Sequence, residues 1–334
     1  MSYQPPFTIS SLILSLVSDI VEMITDIKHL ESNLNTPKLR KKNRIKSITG
    51  TLQIEGNSLS EEKVTHLVNG QRVLGTIKEI AEVQGAIKAY EHLDKYSFSK
   101  ESDLLYAHKL MMDELLRNAG IYRNANVGIG GKEGVTHVAP PPLAVPELMG
   151  DLFDWLKNTK EHPLVVSCIF HYEFEFIHPF SDGNGRVGRL WQSVILTHYK
   201  KVFSFIPIES IVRDNQEAYY KALEDSSSVG ESTPFIEFML KIILKALKQA
   251  LKEDKNVPLN VPKNVPLNRL DEIVRLIVKE KDITSAQIAQ MLNVSDKTVK
   301  RDIAKLKELG RLKRVGSLKS GYWEVISQNI KLKK

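Results

Sequence analysis

His178–Leu190 reads HPFSDGNGRVGRL: a histidine, an aspartate, a Gly-Asn-Gly turn and two arginines in one short run. The apolar stretch before it, His162 to Phe176, predicts a central helix, and Pro179 disfavours its continuation, so His178 sits at a helix-to-loop exit. After the Gly183-Asn184-Gly185 turn, RVGRLWQSVILTHY resumes helical apolar spacing. A helix starting near Asn184 offers backbone N–H groups that no earlier carbonyl satisfies, and glycines let an anion approach them closely. Arg186 and Arg189 are neighbours on one helical face, with planar forks suited to phosphate. Asp182, just before the turn, is a candidate ligand for a Mg²⁺ that bridges phosphates. An imidazole in the position of His178 can accept a proton from an attacking hydroxyl. These residue types together read as a phosphate-transfer site, with a polar helix–helix turn as the alternative. A P-loop is disfavoured, because no Lys-Ser/Thr pair follows and a helix precedes. A zinc site from His178 and Asp182 lacks a nearby third ligand.

Outward from this run the fold class is mainly α. Helical spacing predicts helices over Ser10–Leu30, Thr36–Ile54, Ser60–Val68, Thr76–Leu93, Lys100–Leu115 and Pro146–Lys157, then about Asp214–Asp225 and Pro234–Lys252. NANVGIGGKEGVTHVAP breaks the pattern: two β-prone runs around a Gly-rich turn predict a hairpin at about Val127 to His137. Further on, KEDKNVPLNVPKNVPLN repeats NVPLN, and its prolines predict an extended linker. Beyond it, Asn268–Lys279, Thr284–Leu292 and Ser295–Leu309 read as three helices, followed by two strands in GRLKRVGSLKSGYWEVI. That order is the order of a winged helix-turn-helix.

At 334 residues, two units are expected. The net charge of +7 is uneven: Pro266–Lys334 holds 16 Lys and Arg against 8 Asp and Glu, and the rest of the chain 31 against 32. An appended basic module with its own kind of partner is implied. Cys168, the one cysteine, lies in an apolar run and allows no internal disulfide. The run SLILSLVSDIVEMI has no preceding Lys or Arg and is interrupted by Asp19 and Glu22, so it does not read as a signal peptide. No apolar stretch approaches the length of a membrane span. A cytoplasmic protein is expected.

HPFSDGNGRVGR matches every defined position of HPFx[D/E]GNGRxxR, the signature of the Fic (filamentation induced by cAMP) family of protein adenylyltransferases. GIYRNANVGI, HVAPPPLAVPELMGDLFDWL and HPLVVSCIFHYEFEFIHPF resemble the family's core, and LRKKNRIKSITGTLQIEGNSLS its N-terminal segment. The resemblance spans about residues 1 to 250. It implies an all-helical core with a β-hairpin flap, made of an N-terminal helical region (1–98) and a catalytic core with closing helices (99–251); beyond it, the prolines and the element order already noted give a linker (252–267) and a winged helix-turn-helix (268–334). The resemblance further implies ATP as substrate. His178 would be the general base that deprotonates a Ser, Thr or Tyr hydroxyl of a target protein for attack on the α-phosphate. Asp182 would hold Mg²⁺, Gly183, Asn184 and Gly185 would line an anion hole, and Arg186 and Arg189 would hold the outer phosphates. Phe180 would fix the loop, the hairpin at 127–137 would dock the target, and members commonly form homodimers.

TLQIEGN, Thr51 to Asn57, resembles the family's inhibitory pattern [S/T]xxxE[G/N], which implies that Glu55 competes with the γ-phosphate for Arg189. Gly56 is a natural residue to follow a helix end, which puts the Glu55 carboxylate at the negative end of its own helix, where an outside arginine is welcome. Tyr219 and Tyr220 read as packing aromatics, and His171 and His198 as helix-face residues without a catalytic role; His137 stays undecided. In the basic module, Ser295 is expected to cap a recognition helix that exposes Lys297, Thr298, Lys300 and Arg301, with Arg311, Lys313, Arg314 and Lys319 on the wing, for DNA or a protein partner. Two other readings stay open: removal of AMP from a modified target, with Glu55 positioning a water, and a nucleotide-sensing DNA-binding regulator without transferase activity.

Overall fold

The computed structural model describes residues 3–34, 37–131, 134–256, 270, 273–274, 276–278, 280, 283–292, 294–308, 312–315 and 322–325. It separates into two units, Met1–Asn256 and Val257–Lys334. The first contains α1 (Ser11–Leu34), α2 (Pro37–Ile54), α3 (Glu61–Val68), α4 (Ile77–Glu91), α5 (Glu101–Met112), β1 (Gly128–Gly131), β2 (Gly134–Val138), α6 (Val145–Asn158), α7 (Pro163–Ile177), α8 (Asn184–Tyr199), α9 (Ile208–Arg213), α10 (Gln216–Val229) and α11 (Thr233–Asn256).

The termini of these helices follow from their capping residues. Ser60 accepts from Lys63 N–H at the start of α3, and Thr76 and Glu79 form a reciprocal capping box at the start of α4. Pro163 opens α7, where its missing N–H costs nothing. α7 is apolar on nearly every side, so only the centre of the bundle suits it. Ile169, Phe170 and Phe174 are fully buried, and α6, α8 and α11 pack around them. Gly188 lets α8 close onto α7: a Cβ there would lie 2.7 Å from Glu175 Oε1 and 3.1 Å from Phe174 Cδ1. Gly50 does the same for α2 on α9, where a Cβ would meet Ser210 N at 2.7 Å.

β1 and β2 pair antiparallel in one hairpin, with Ile129 opposite His137 and a register shift between Ile129 and Gly130. Two details differ from expectation. The short α9 precedes α10 where one helix was expected, because Pro207 starts a turn that the apolar pattern alone does not mark. α11 runs on to Asn256, so the first residues assigned to the linker are helical; 257–267 lies outside the described residues.

In the second unit, α12 (Ser285–Met291) and α13 (Asp296–Glu308) precede an antiparallel pair, β3 (Leu312–Val315) and β4 (Tyr322–Val325). Ile273, Ile277, Ile288, Val299 and Leu306 form its own core. Ser295 Oγ accepts from Thr298 N–H at 3.2 Å and so caps α13. The expected helix Asn268–Lys279 is described only in part, and Arg311 and Lys319 lie outside the described residues. Among the described residues no helix is long and apolar enough to cross a membrane.

Candidate active site

α7 ends at His178, which takes the left-handed conformation (φ 50°, ψ 61°) and is the one non-glycine residue with positive φ among those described. Such backbone is uncommon for a histidine and persists only where its surroundings hold it. Arg123 supplies that hold. Its Nε donates to His178 O at 2.7 Å, Nη2 to Pro140 O at 2.6 Å and to Ile177 O at 3.3 Å, and Nη1 to Ala125 O at 3.0 Å. Its own N–H donates to Pro179 O at 2.9 Å. A buried guanidinium thus caps the carbonyl end of α7 and fixes the turn. His178 Nδ1 lies 3.3 Å from Glu175 O. A carbonyl can only accept, so Nδ1 carries the proton and Nε2 is the basic nitrogen.

The rest of the loop is held from below. The Phe180 ring is fully buried and stacks on His108 at 3.6 Å. His108 Nδ1 accepts from Gly120 N–H at 2.7 Å, which leaves Nε2–H to donate to Asp182 O at 3.0 Å. Burial lowers the His108 pKa to about 4, so this neutral tautomer persists at ordinary pH. Asn184 Oδ1 accepts from Phe180 N–H and Nδ2 donates to Phe180 O, both at 2.8 Å. Its side chain therefore serves the loop, and what it can offer an anion is its main-chain N–H. Gly183 sits at φ 85° with Met112 Sδ 2.8 Å from where a Cβ would be. α8 begins there without a side-chain cap, its first intrahelical bond running from Val187 N–H to Gly183 O. The N–H groups of Asn184, Gly185 and Arg186 precede that bond.

Both motif arginines are buried. Arg189 Nη2 donates to Glu55 Oε1 at 2.6 Å and to Thr51 O at 3.2 Å, and Nε donates to Thr51 Oγ1 at 2.9 Å. Burial opposes the Arg189 charge, and Glu55, Tyr219 and Glu175 together more than offset this, so its pKa lies above the ordinary arginine value. Glu55 is carried on a Schellman turn: Asn57 N–H donates to Leu52 O and Gly56 N–H to Gln53 O, each at 3.1 Å, with Gly56 at φ 88°. Gly185 is required beside this pair, since a Cβ there would collide with Glu55 Oε1. Arg186 Nη2 donates to Asp182 Oδ1 at 3.1 Å, and Nη1 lies 3.6 Å from Glu82 Oε1. Asp182 Oδ1 also accepts from Gly183 N–H at 2.6 Å, and its side chain is half exposed.

The structure thus brings His178, Asp182, Gly183, Asn184, Gly185, Arg186, Arg189 and Glu55 to one place, although Glu55 is 134 residues from Arg189. Arg123, His108, Glu82 and Glu175 belong to the same place and were not singled out in the sequence. An arginine embedded in the polar YRNAN loop was the one available signal among them. Glu175 is a buried carboxyl beside Gly188, raised to about 8 by burial, against the pull of Arg189 and with repulsion from Glu55. His171 is not on an open helix face. It is fully buried, hydrogen-bonded to Gln192 Oε1 (2.8 Å) and Tyr219 Oη (3.1 Å), and held neutral by burial with a pKa of about 3. Tyr219 packs on Phe235, while the half-exposed Tyr220 hydroxyl reaches Ile54 O at 3.4 Å. His198 Nε2 reaches Tyr96 O at 2.7 Å, and the side chain of His137 lies outside the described residues. On the wing, Arg314 lies over the Trp323 ring at 4.6 Å.

This geometry meets a close relative among solved structures. The crystal structure of a Fic family protein from Desulfovibrio desulfuricans G20 is 41% identical, over 98% of this chain and 99% of that one, with a TM-score of 0.76. The chain belongs to the Fic family. The Fic/DOC family profile matches residues 97–196, and an HTH domain profile matches 269–322. This Fic protein also shares its fold with Fic-1 of Caenorhabditis elegans, at 23% identity and a TM-score of 0.58. Among curated relatives it is 27% identical over 221 residues to a protein named "Protein adenylyltransferase Fic" from Aedes aegypti, covering 63% of this chain and 42% of that one. It is 27% identical to "Probable protein adenylyltransferase aq_aa38" from Aquifex aeolicus, covering 83% and 84%. The chain spans less than half the length of the first of these relatives.

Proposed function

We propose that this Fic protein transfers AMP from ATP to a Ser, Thr or Tyr hydroxyl of a target protein and that Glu55 restrains it. The observation that carries the reading is the juxtaposition of the His178 base with the uncapped N-terminus of α8 and two buried arginines. The adenylyltransferase names of its relatives support it. The target hydroxyl loses its proton to His178 Nε2 as its oxygen bonds to the α-phosphorus; the bond from that phosphorus to the bridging oxygen breaks, and pyrophosphate leaves. Charge developing on the transferred group meets the N–H groups of Asn184, Gly185 and Arg186. Arg189 receives the terminal phosphate once Glu55 withdraws. The β1–β2 hairpin suits target binding by strand addition.

Among the described residues no three His, Cys, Asp or Glu side chains gather as a metal cage. A single half-exposed carboxylate beside a phosphate cradle fits Mg²⁺, which keeps its waters and shares its coordination with phosphates. Asp182 would hold the ion, which would neutralise charge between the α- and β-phosphates. The test is self-labelling of the purified Glu55→Gly chain by α-labelled and γ-labelled ATP: α-label alone is expected on protein, lost when His178→Ala is added. Labelling that survives His178→Ala, or that comes from γ-labelled ATP, refutes the reading.

A second reading concerns the basic unit. α13 exposes Lys297, Lys300 and Arg301 along one helix, with Lys300 2.6 Å from Asp296. We propose that this face contacts the phosphate backbone of DNA. The full chain should shift a labelled duplex in a salt-dependent way, and the Lys297→Ala/Arg301→Ala double variant should bind it roughly tenfold more weakly. Equal binding by the double variant refutes this role.

A further inference from the structure

Glu82 of α4 lies between the segment that carries Glu55 and the motif loop. Its side chain is largely buried: Oε2 accepts from Asn57 Nδ2 at 2.8 Å, and Oε1 lies 3.6 Å from Arg186 Nη1 and 4.0 Å from the exposed Lys78 Nζ. Arg186 is therefore flanked by two carboxylates, Glu82 on Nη1 and Asp182 on Nη2 at 3.1 Å. Its Nε and Nη1 are buried without a hydrogen-bond partner. A buried guanidinium in that condition takes whatever carboxylate is offered, because an uncompensated buried cation is strongly unfavourable. Asp182 is the nearer of the two, and it is also the residue read above as the cation ligand. An arginine that closes on a carboxylate occupies its lone pairs and repels a cation beside it, so the carboxylate becomes a weaker ligand.

We propose that Glu82 is a positioning residue: by holding its share of Arg186 it leaves the Asp182 carboxylate able to bind a divalent cation. This rests on the reading of Asp182 as that ligand. Two effects of neutralising Glu82 have the same sign. Arg186 closes on Asp182, and the site loses one negative charge, so cation affinity falls whichever dominates. Asn57 fixes the orientation of Glu82 and also donates to Glu79 O at 3.2 Å. The turn that presents Glu55 to Arg189 is thereby tied to the carboxylate that balances Arg186.

The test uses the full chain with Glu55→Gly, so that nucleotide enters, and Mn²⁺ as probe with α,β-methylene ATP, titrated by electron paramagnetic resonance. Glu82→Gln keeps an acceptor for Asn57 and removes the charge; Mn²⁺ affinity is expected to fall about tenfold, the usual range for an outer-shell partner. Glu82→Asp keeps the charge and withdraws it from Arg186, and a several-fold loss is expected there too. In an Asp182→Asn background only the through-space effect of the lost charge should remain, so the further loss on Glu82→Gln should be well short of tenfold. Mn²⁺ affinity within twofold of the parent in both Glu82 variants overturns the proposal, as does a full tenfold loss that persists in the Asp182→Asn background. A Glu55→Gly chain that holds no Mn²⁺ with the nucleotide sinks the cation reading of Asp182 and this assignment together. One that holds Mn²⁺, responds to Glu82→Gln and transfers nothing sinks the transfer reading alone.

Discussion

Glu55→Gly tests the competition for Arg189 most directly. The contact is one charge-assisted hydrogen bond of 2.6 Å, donated by a guanidinium that is 2% exposed to a carboxylate that is 32% exposed. Hydrogen bonds to charged groups contribute about 1.5–3 kcal/mol net, and partial exposure of Glu55 argues for about 2. After substitution Arg189 retains Thr51 Oγ1 and Thr51 O as acceptors. If ATP must displace Glu55, about 2 kcal/mol returns to it as roughly 30-fold tighter binding. The same substitution leaves a buried cation undercompensated, so the nucleotide-free protein should melt about 4–8 °C lower. A hundredfold excess of ATP over its dissociation constant should return about 2.7 kcal/mol. Calorimetry, thermal melts with and without ATP, and self-labelling from α-labelled ATP read the three consequences. A protein less stable alone, more responsive to ATP and more heavily labelled is expected. ATP affinity within twofold of the parent refutes the competition; tighter binding with unchanged labelling refutes its part in restraining transfer.

Three other outcomes are expected. Arg123→Lys keeps the charge but loses the fork that reaches four carbonyls; transfer should fall about 100-fold while far-ultraviolet circular dichroism stays unchanged, and near-parent activity would show that the His178 backbone needs no clamp. Gly188→Ala drives a methyl group against Glu175, Phe174 and His171 and should destabilise the protein by about 1–3 kcal/mol in chemical denaturation, an increase in stability being the contrary result. Stability against pH should peak near 6.5. From about pH 4.5 to 6.5, His108 and His171, with folded pKa values of about 4 and 3, bind fewer protons folded than unfolded, so stability rises with pH. Glu175, raised to about 8, binds one more proton folded than unfolded, which partly offsets this rise and makes stability fall from about 6.5 to 8 at up to about 1.4 kcal/mol per pH unit. Melts across pH should show the alkaline limb flatten in Glu175→Gln, and an unchanged limb would remove Glu175 as its cause.

Some of this was written locally. Thr76 and Glu79, Ser60 before α3 and Pro163 in α7 mark helix starts through contacts within one turn of chain. The Gly-rich run between β-prone segments marks the hairpin in the same way. α9 escaped notice because a helix of one and a half turns leaves almost no periodic trace. Arg123 and His108 escaped it for another reason: they act on His178 and Asp182 across 55 and 74 residues, and nothing in their own neighbourhoods records those partners. Glu175 lay in plain view beside the motif, yet only burial against Gly188 makes its carboxyl unusual.

By itself, the sequence determined the helical character of the first unit, the break at His178, the run of groups suited to a phosphate, and the concentration of positive charge beyond the linker. These depend on spacing, capping and composition, which act over a few residues. Tertiary structure alone decided that Arg189 lies against Glu55, that Arg186 stands between Glu82 and Asp182, and that His178 is held left-handed by an arginine from the loop before the hairpin. The reason is the behaviour of charge out of water. A buried guanidinium must find its counter-charge and acceptors wherever helix packing brings them, and that packing is a property of the whole bundle.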